Sequence, residues 1–335
     1  MRRSIFLSCL TGSYAFVVPN NKKSVIRNND ADAVLFAGGM DNASYDDTCD
    51  VLVLGSGPAG SAMASLLGAG GELDVVMADK NYDSSWVPNY GVWKDEWQTV
   101  LDRYEAAGIK IDGGNVGNSI DKEWSLTDCY FGGSYDIPAE NRMRLDRPYC
   151  RVDPKALKQT LNKNFRVVRA NHMSEAIGVN MYKPAGSLIH DETGTTIQLQ
   201  PKDDSPITMR AKVVIDTTGH ETKLVMKDTR GQYSSPGFQI AYGAIVEMDE
   251  SNSPDLSQAG PYDKEAMTLF DYRTDHFPTG ESERAEKVPT FNYVMPLGGN
   301  QIFIEETSLV ARPGVSFQEC KDRLFTRLEF HGIKV

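Results

Sequence analysis

"CDVLVLGSGPAGSAMASLLGAGGELDVVMADKN", residues 49–81, is the stretch of sequence that decides the fold. Residues 50–54 form a continuous apolar run, which is typical of a strand buried in a parallel sheet. A turn with the glycine spacing GxGxxG follows, then a helix of small residues, and then a second apolar strand at residues 75–77. This order of strand, glycine turn, helix and strand predicts a dinucleotide-binding βαβ unit.

Each glycine of the turn has a separate role. Gly55 permits the tight turn, Gly57 lets the backbone approach a pyrophosphate, and Gly60 brings the helix against the sheet. Pro58 and Ala59 lie between them, at the positive N-terminus of the helix, where anions bind. We therefore predict that these five residues contact the cofactor.

An acid at the end of the second strand completes the unit. Asp79 lies 19 residues after Gly60, where a carboxylate accepts hydrogen bonds from ribose hydroxyls. Such an acid favours a ribose with a free 2'-hydroxyl, and hence FAD or NAD over NADP. The βαβ unit alone leaves FAD and NAD open.

A later strand favours the flavin. The segment AKVVIDTTGHE ends its alternating apolar run at residues 216–219, and it resembles the strand-ATG element that passes beside FAD in two-domain flavoproteins. We therefore predict that Asp216 and Gly219 also contact the cofactor. A simple strand followed by a turn is the alternative for this element.

Composition bounds the domain count and the class of function. The 335 residues are enough for about two domains. The net charge of -11 argues against a protein that binds duplex nucleic acid, because such a protein needs a basic face. The five cysteines are odd in number and include no CxxC pair, and the histidines are not clustered. Neither a disulfide framework nor a metal site is therefore indicated.

The first 40 residues differ in character from the rest. They contain five Lys or Arg residues and no acid before Asp30, with a short apolar run at residues 5–10. This pattern predicts a plastid-targeting segment, the alternative being an unstructured tail. Beyond it, no apolar run approaches the roughly 20 residues that cross a bilayer, so any membrane contact would be peripheral.

Two features of the middle of the chain have two interpretations each. Residues 84–97, SSWVPNYGVWKDEW, contain three tryptophans, which either line an apolar ligand channel or form a separate hydrophobic cluster. Arg147 and Arg151 precede a helix that begins with Asp153 and Pro154. These arginines either contact the cofactor phosphates or pair with acids.

Several β-rich runs between residues 165 and 310 predict a second region over the cofactor. The expected fold class is α/β: an FAD-binding Rossmann-type unit of the two-dinucleotide-binding-domain flavoprotein kind, with a second mixed, mostly antiparallel β-sheet domain. The predicted boundaries are 1–40 for the targeting segment, 41–165 for the N-terminal FAD-binding region, 166–220 for the rest of the FAD domain, and 221–335 for the β-rich substrate domain.

Six blocks of sequence are similar to the plant and algal lycopene cyclases, which close β-ionone rings on linear carotenoids. They are WVPNYGVWKDEW, LDRPYCRVD, IDTTGHE, SPGFQIAYGAIVEMD, MTLFDYR and PTFNYVMPLGGNQIFIEETSLVARPGV, in this order from about residue 48 to the end. The FIEET block resembles the FLEET motif of that family. Family members continue well past the segment HGIKV, so the resemblance implies a C-terminally truncated chain.

The resemblance also implies an activity and its cofactors. The implied reaction is cyclisation of lycopene end groups to γ- and β-carotene, with no net redox change. Reduced FAD is implied as a non-redox cofactor, and NADPH as the reductant that keeps it reduced. The expected location is the plastid, peripheral to the membrane, with linear carotenes as substrate and other carotenoid enzymes as partners.

Two adjacent glutamates in the run QIFIEET are the candidate acids. Ring closure needs a proton at a terminal alkene, and a carboxyl in an apolar pocket has a raised pKa and holds that proton at neutral pH. Because strand residues alternate between faces, one of Glu305 and Glu306 can face the pocket. The resemblance implies Glu305 as the general acid and Glu306 as its structural or charge-tuning partner. On the residues alone, both can also be ordinary carboxylates, one solvated and one paired with Arg312.

Three other functions stay open. The first is a flavin-dependent monooxygenase or reductase acting on an isoprenoid, which changes the mass of its substrate, whereas cyclisation does not. The second is an ε-type cyclase or another enzyme that modifies carotenoid rings. The third is a truncated, inactive partner of a full-length cyclase, which purified protein without bound flavin would favour.

Overall fold

The computed structural model describes residues 45–108, 119–136, 142–172, 188–219, 224, 237–248 and 261–333, and the backbone of residues 5–6, 15–17 and 258–259. Most of the predicted targeting segment therefore lies outside the described residues. The strands along the chain are β1 (Ile5–Phe6), β2 (Ala15–Val17), β3 (Asp47–Leu54), β4 (Val75–Ala78), β5 (Tyr90–Trp93), β6 (Ile120–Trp124), β7 (Leu126–Tyr130), β8 (Met143–Leu145), β9 (Tyr149–Val152), β10 (Arg166–Val168), β11 (Ala170–His172), β12 (Leu188–Asp191), β13 (Gly194–Pro201), β14 (Ile207–Asp216), β15 (Ala241–Glu247), β16 (Gln258–Ala259), β17 (Tyr262–Asp263), β18 (Ala266–Asp271), β19 (Phe291–Gly298) and β20 (Gln301–Thr307).

The helices are α1 (Pro58–Gly68), α2 (Lys94–Ala106), α3 (Pro154–Leu161), α4 (Glu281–Lys287) and α5 (Phe317–Phe330). Among the residues that the structure describes, no helix is long and apolar enough to cross a membrane.

The first sheet contains the predicted βαβ unit. Its strand order is β10-β4-β3-β14-β13-β11, with β12 beside β13 and β2 beside β14. β3 is parallel to both of its neighbours, β4 and β14, and Leu54 at the end of β3 lies opposite Asp216. Ala64 of α1 belongs to one buried cluster with Val53 and Met77. The predicted Rossmann-type unit is therefore confirmed, and β3 and β14 end at the same edge of the sheet.

The second sheet is mixed and mostly antiparallel, as predicted. Its strand order is β1-β15-β20-β19-β18-β7-β8, and β20 lies antiparallel between β15 and β19. Only β18 and β7 pair in parallel among the described strands of this sheet. Residues 126–145 supply β7 and β8 to this sheet, although the sequence placed them in the N-terminal cofactor region. A further small sheet has the order β5-β9-β6.

α5 covers one face of the second sheet. Ser316 caps this helix, because its Oγ accepts a hydrogen bond from the Glu319 N–H at 3.0 Å. Cys320, Leu324 and Leu328, spaced at 3.6-residue periodicity, are buried in one cluster. The same cluster contains Val294 of β19 and Ile302 and Ile304 of β20.

The packing of α5 predicts a stability loss in Leu324→Ala. Leu324 is 1% exposed, so the substitution leaves a cavity and lowers the free energy of unfolding by about 2–5 kcal/mol. Urea denaturation monitored by circular dichroism measures the change. Glu329→Ala, at an exposed position of the same helix, serves as the control and changes stability by less than about 0.5 kcal/mol. Equal effects of the two substitutions would contradict the packing described.

Candidate active site

The glycine turn is packed closely against the end of β14. Gly55 has a φ of 99°, and a Cβ there would lie 2.7 Å from the carbonyl oxygen of Thr217. A Cβ on Gly60 would overlap the Gly55 carbonyl oxygen and lie 2.5 Å from Thr217 Oγ1. Thr217 Oγ1 donates a hydrogen bond to the Leu54 carbonyl oxygen at 2.7 Å. The tight turn and the close helix contact therefore both depend on glycine.

Gly57 has a different environment. It is the N-cap of α1, with Pro58 at the start of the helix, and no described side chain caps it. A Cβ on Gly57 would meet no described atom within 4 Å, and the first turn of α1 contains no acid. The backbone N–H groups of a helix start without such partners suit a pyrophosphate, so the residues present fit the predicted dinucleotide.

Asp79 lies at the same edge and holds the turn. Its Oδ2 accepts hydrogen bonds from the N–H and the Oγ of Ser56, both at 2.7 Å, and its Oδ1 accepts from the Asn81 N–H at 2.7 Å. A carboxylate has about four acceptor sites, and Asp79 is partly exposed, so it keeps capacity for ribose hydroxyls. Its contact with the turn was not predicted.

The strand-ATG-like element lies beside the turn. Asp216 is buried, and its Oδ1 accepts hydrogen bonds from the N–H of Thr218 at 3.0 Å and from its hydroxyl at 2.6 Å. Gly219 has a φ of 96°, which explains the glycine at this position. The structure therefore brings residues 55–60, Asp79 and residues 216–219 to one edge of the sheet.

Arg147 and Arg151 have protein partners instead. Arg147 pairs with Asp95 and Glu96 at 3.0 Å, and Arg151 pairs with Asp121. Of the two interpretations of these arginines, the structure favours pairing with acids. Their contact with cofactor phosphates stays a prediction.

Glu305 and Glu306 lie on opposite faces of β20. In the register of the sheet, Glu305 lies between Gly243 of β15 and Tyr293 of β19. Its face of the sheet carries an aromatic and apolar cluster, and Glu305 itself is partly buried. The buried members of this cluster are Trp124, Tyr149, Met267, Met295 and Phe303, with Trp93, Ile245, Leu269, Tyr293 and Leu297 partly buried around them.

The Glu305 carboxyl has no partner among the described side chains. Burial raises its pKa from the ordinary value of 4.5 to about 7. The hydroxyls of Tyr293 and Tyr149 lie 3.3 Å apart, and burial also raises the pKa of each phenol. Glu305 therefore keeps a large protonated fraction at neutral pH, beside neutral aromatic groups. Both tyrosines were missed in the sequence, because the sheet register brings Tyr293 to Glu305 and a tertiary contact with Tyr293 brings Tyr149 of β9 to the same place.

Glu306 has the opposite environment. It is fully buried and accepts hydrogen bonds from Thr290 Oγ1 at 2.6 Å, from Arg327 Nε at 3.1 Å and from Asn292 Nδ2 at 3.4 Å. Arg327 also lies 3.6 Å from Asp271. The cation paired with Glu306 is thus Arg327 of α5, whereas the residues alone had offered Arg312 as a partner for one of the two glutamates. The fully paired Glu306 holds β20 against α5.

One cavity, of about 420 Å³, lies between α4 and α5. Its lining includes Glu281, Arg284, Glu319, Asp322 and Arg323. These charges do not suit an apolar carotene, and neither glutamate of β20 lines the cavity.

Among the described residues, no group of His, Cys, Asp and Glu could hold a metal ion.

Residues 50–335 match the family model described as "Lycopene cyclase protein". The lycopene beta cyclase of Nicotiana tabacum is 35% identical over 290 residues, which cover 85% of this chain and 49% of the relative. That of Capsicum annuum is 31% identical over 99% of this chain and 57% of the relative, and the capsanthin/capsorubin synthase of Citrus sinensis is 31% identical over 85% and 48%. The chain spans about half the length of these curated relatives.

A solved structure shows the likeness of fold. The flavin-dependent brominase Bmp2 superposes with a TM-score of 0.51 at 16% sequence identity, covering 85% of this chain and 61% of that chain.

Gly57→Ala and Gly60→Ala are expected to have different effects. The methyl group of Gly57→Ala enters open space beside the helix start, so FAD binding weakens by about tenfold or more, equivalent to ~1.4 kcal/mol, while the unfolding midpoint stays unchanged. Gly60→Ala overlaps the Gly55 carbonyl oxygen and lowers stability by about 1–3 kcal/mol. Fluorescence titration with FAD and thermal unfolding measure the two effects. Destabilisation by Gly57→Ala with normal FAD affinity would contradict this assignment.

Glu306→Ala is expected to destabilise the fold strongly. It removes the carboxylate that bonds the buried Arg327 guanidinium and leaves the longer pairing with Asp271 at 3.6 Å, at a cost of about 3–5 kcal/mol in denaturant unfolding. Glu247→Ala, at an exposed position of β15, is the matched control and costs less than about 0.5 kcal/mol. A loss below about 1 kcal/mol in Glu306→Ala would show that the pair does not hold α5 to β20.

Proposed function

Since the chain belongs to the lycopene cyclase family, we propose that it closes β-ionone rings on lycopene, giving γ- and β-carotene, with Glu305 as the general acid. The observation that carries this proposal is the partly buried Glu305 carboxyl, which has no polar partner among the described side chains and lies on an aromatic face. Its relatives named as lycopene beta cyclases support the substrate class.

The proposed reaction is an isomerisation. The Glu305 carboxyl donates its proton to the terminal alkene, and the resulting cation is attacked by a neighbouring double bond, which forms the ring C–C bond. Loss of a proton from the carbon next to the new cation restores an alkene. One proton enters and one leaves, so the product has the mass of the substrate.

Burial without a polar partner among the described side chains makes Glu305 suited to this step, whereas its hydrogen-bond partners make Glu306 unsuited. A carboxyl with a pKa of about 7 is partly protonated at neutral pH and is a stronger donor than a protonated group of higher pKa. The Glu306 carboxylate is bonded to Thr290 and Arg327, both of which donate to its charged form. Glu306 therefore acts in the proposal as a structural partner.

Residues 55–60, Asp79 and residues 216–219 would hold FAD at the edge of the first sheet. Reduced FAD, kept in that state by NADPH, would supply an electron-rich ring that stabilises positive charge on the substrate. The open space at Gly57 and the uncapped start of α1 support binding of the pyrophosphate. The fold shared with a flavin-dependent brominase is consistent with this cofactor.

The proposed location is the plastid. The relatives from Nicotiana tabacum and Arabidopsis thaliana are named chloroplastic, and the first 40 residues have the basic composition of a targeting segment. Linear carotenes dissolve in bilayers, so we propose peripheral association with plastid membranes, where other carotenoid enzymes can deliver the substrate.

A second candidate function is another reaction on carotenoid rings. The relatives named capsanthin/capsorubin synthase and neoxanthin synthase, 31% and 32% identical over 289 residues, favour it. A buried acid can also protonate an oxygenated ring, so Glu305 would keep its role. Supplying lycopene and oxygenated carotenoids in separate assays distinguishes the two functions.

Glu305→Gln is expected to abolish ring closure, because the amide cannot donate the proton. The loss is at least about 100-fold in cyclic carotene formed by cells that accumulate lycopene, analysed by chromatography and mass. In the unsubstituted chain, the rate falls as pH rises through about 7, since deprotonation of Glu305 removes the donor.

Glu247→Gln, at an exposed position of β15, is the matched control and keeps full activity. Flavin content and thermal unfolding are measured for each protein. A Glu305→Gln variant that still forms rings would show that another group is the acid. Flavin-loaded, folded chain that gives no cyclic product from lycopene would contradict the proposed function itself.

A further inference from the structure

Gly243 lies inside β15, where a glycine needs an explanation. Glycine in a strand interior weakens the strand and often marks a close approach by another group. Gly243 is absent from the glycines with positive φ among the described residues, so the backbone conformation does not require it. The glycine must therefore be explained by the atoms that lie where a side chain at position 243 would stand.

The space beside Gly243 is occupied by the candidate acid. A Cβ built on Gly243 would lie 3.1 Å from Glu305 Oε2 and 3.2 Å from Glu305 Cβ. It would also lie 2.9 Å from Phe303 Cζ. Any side chain at position 243 would thus compete with the Glu305 carboxyl and with the Phe303 ring for the same volume.

We propose that Gly243 is a positioning residue for Glu305, because its missing side chain forms the recess that holds the carboxyl against the sheet. This inference rests on the function proposed for Glu305. Phe303 borders the recess, and Tyr293 lies on the opposite side of Glu305 in the register of the sheet.

The recess sets both the place and the protonation of the acid. A carboxyl held against the sheet is shielded from water, and this burial is what raises the pKa of Glu305. Tyr293 of β19 and Tyr149 of β9 are the ionisable groups close enough for Glu305 to raise their pKa values, and these raised values keep both phenols neutral. Cys320 of α5, also with a raised pKa, stays neutral as well. A displaced carboxyl would therefore regain water and a lower pKa.

Gly91 provides a matched control. It lies in β5, also without positive φ, and a Cβ there would lie 2.5 Å from Tyr149 Cε1 and would crowd the Tyr293 hydroxyl. Gly91→Ala therefore disturbs the same aromatic face as strongly as Gly243→Ala, but through the tyrosines.

The test is a carbon-13 NMR titration of the Glu305 carboxyl in the full chain, assigned by its absence in Glu305→Gln. We expect Gly243→Ala to lower the pKa of Glu305 from about 7 by about one unit or more, toward its ordinary value. Gly91→Ala, which displaces the tyrosines but adds no atom beside the Glu305 carboxyl, should lower it by clearly less. In Gly243→Ala, the pH above which ring closure is lost falls together with the pKa of Glu305. The rate of ring closure also falls, by about tenfold or more. A folded Gly243→Ala protein in which Glu305 titrates as before would overturn the proposal.

If Gly243→Ala does not fold, the same titration is made in Gly243→Ala/Phe303→Leu, which relieves the closest clash. The pKa of Glu305 should still be lowered relative to Phe303→Leu alone, and an unchanged pKa would refute the recess. Because the titration needs no turnover, it separates this inference from the proposed function. If Glu305→Gln still forms rings, Glu305 is not the general acid. The pKa values of Glu305 measured with and without Gly243→Ala would still test whether Gly243 positions the carboxyl.

Discussion

The buried pairing of Glu306 with Arg327 is the interaction on which the candidate site depends. It joins β20 to α5 inside the protein and leaves the Glu306 carboxylate fully partnered. Because side chains alternate along a strand, this fixed orientation places Glu305 on the other face, among aromatic side chains. A slip of one residue in the register would exchange the two carboxyls. Glu306 would then lie on the apolar face, away from its cationic partner Arg327. The adjacent glutamates thus have unlike chemistry because one of them is fixed by a cation.

The aromatic segment 84–97 connects the dinucleotide edge with the face that carries the acid. Trp86 Nε1 donates a hydrogen bond to the carbonyl oxygen of Ser56 in the glycine turn at 2.9 Å. A few residues later, Gly91 lies directly against the Tyr293 hydroxyl, beside Glu305. Trp86 and Gly91 of this segment therefore make two contacts, one to the glycine turn of the first sheet and one to the aromatic face of the second. This continuity supports a reaction in which the acid and the cofactor act on one substrate.

Local patterns predicted much of this arrangement. The βαβ unit and the alternation at Glu305 and Glu306 both follow from spacing within a few residues, which local backbone geometry fixes. Long-range pairing could not be predicted in this way. Arg327 has the spacing of the buried face of α5, yet nothing local identifies Glu306 as its partner. The position of Gly243 beside Glu305 depends on the order of strands in the sheet, and the partners of Arg147 and Arg151 depend on tertiary contacts of the same kind.

Ring closure in deuterated water, with lycopene as substrate, is the most direct measurement of proton delivery by Glu305. The Glu305 carboxyl exchanges its proton with the solvent, so the proton that it gives to the alkene is replaced by deuterium. Mass spectrometry should then find one deuterium retained per ring in the cyclic carotene made by the unsubstituted chain, and no cyclic product from Glu305→Gln. Cyclic product without deuterium, deuterated product from Glu305→Gln, or product that has gained oxygen would contradict acid-initiated closure by this residue.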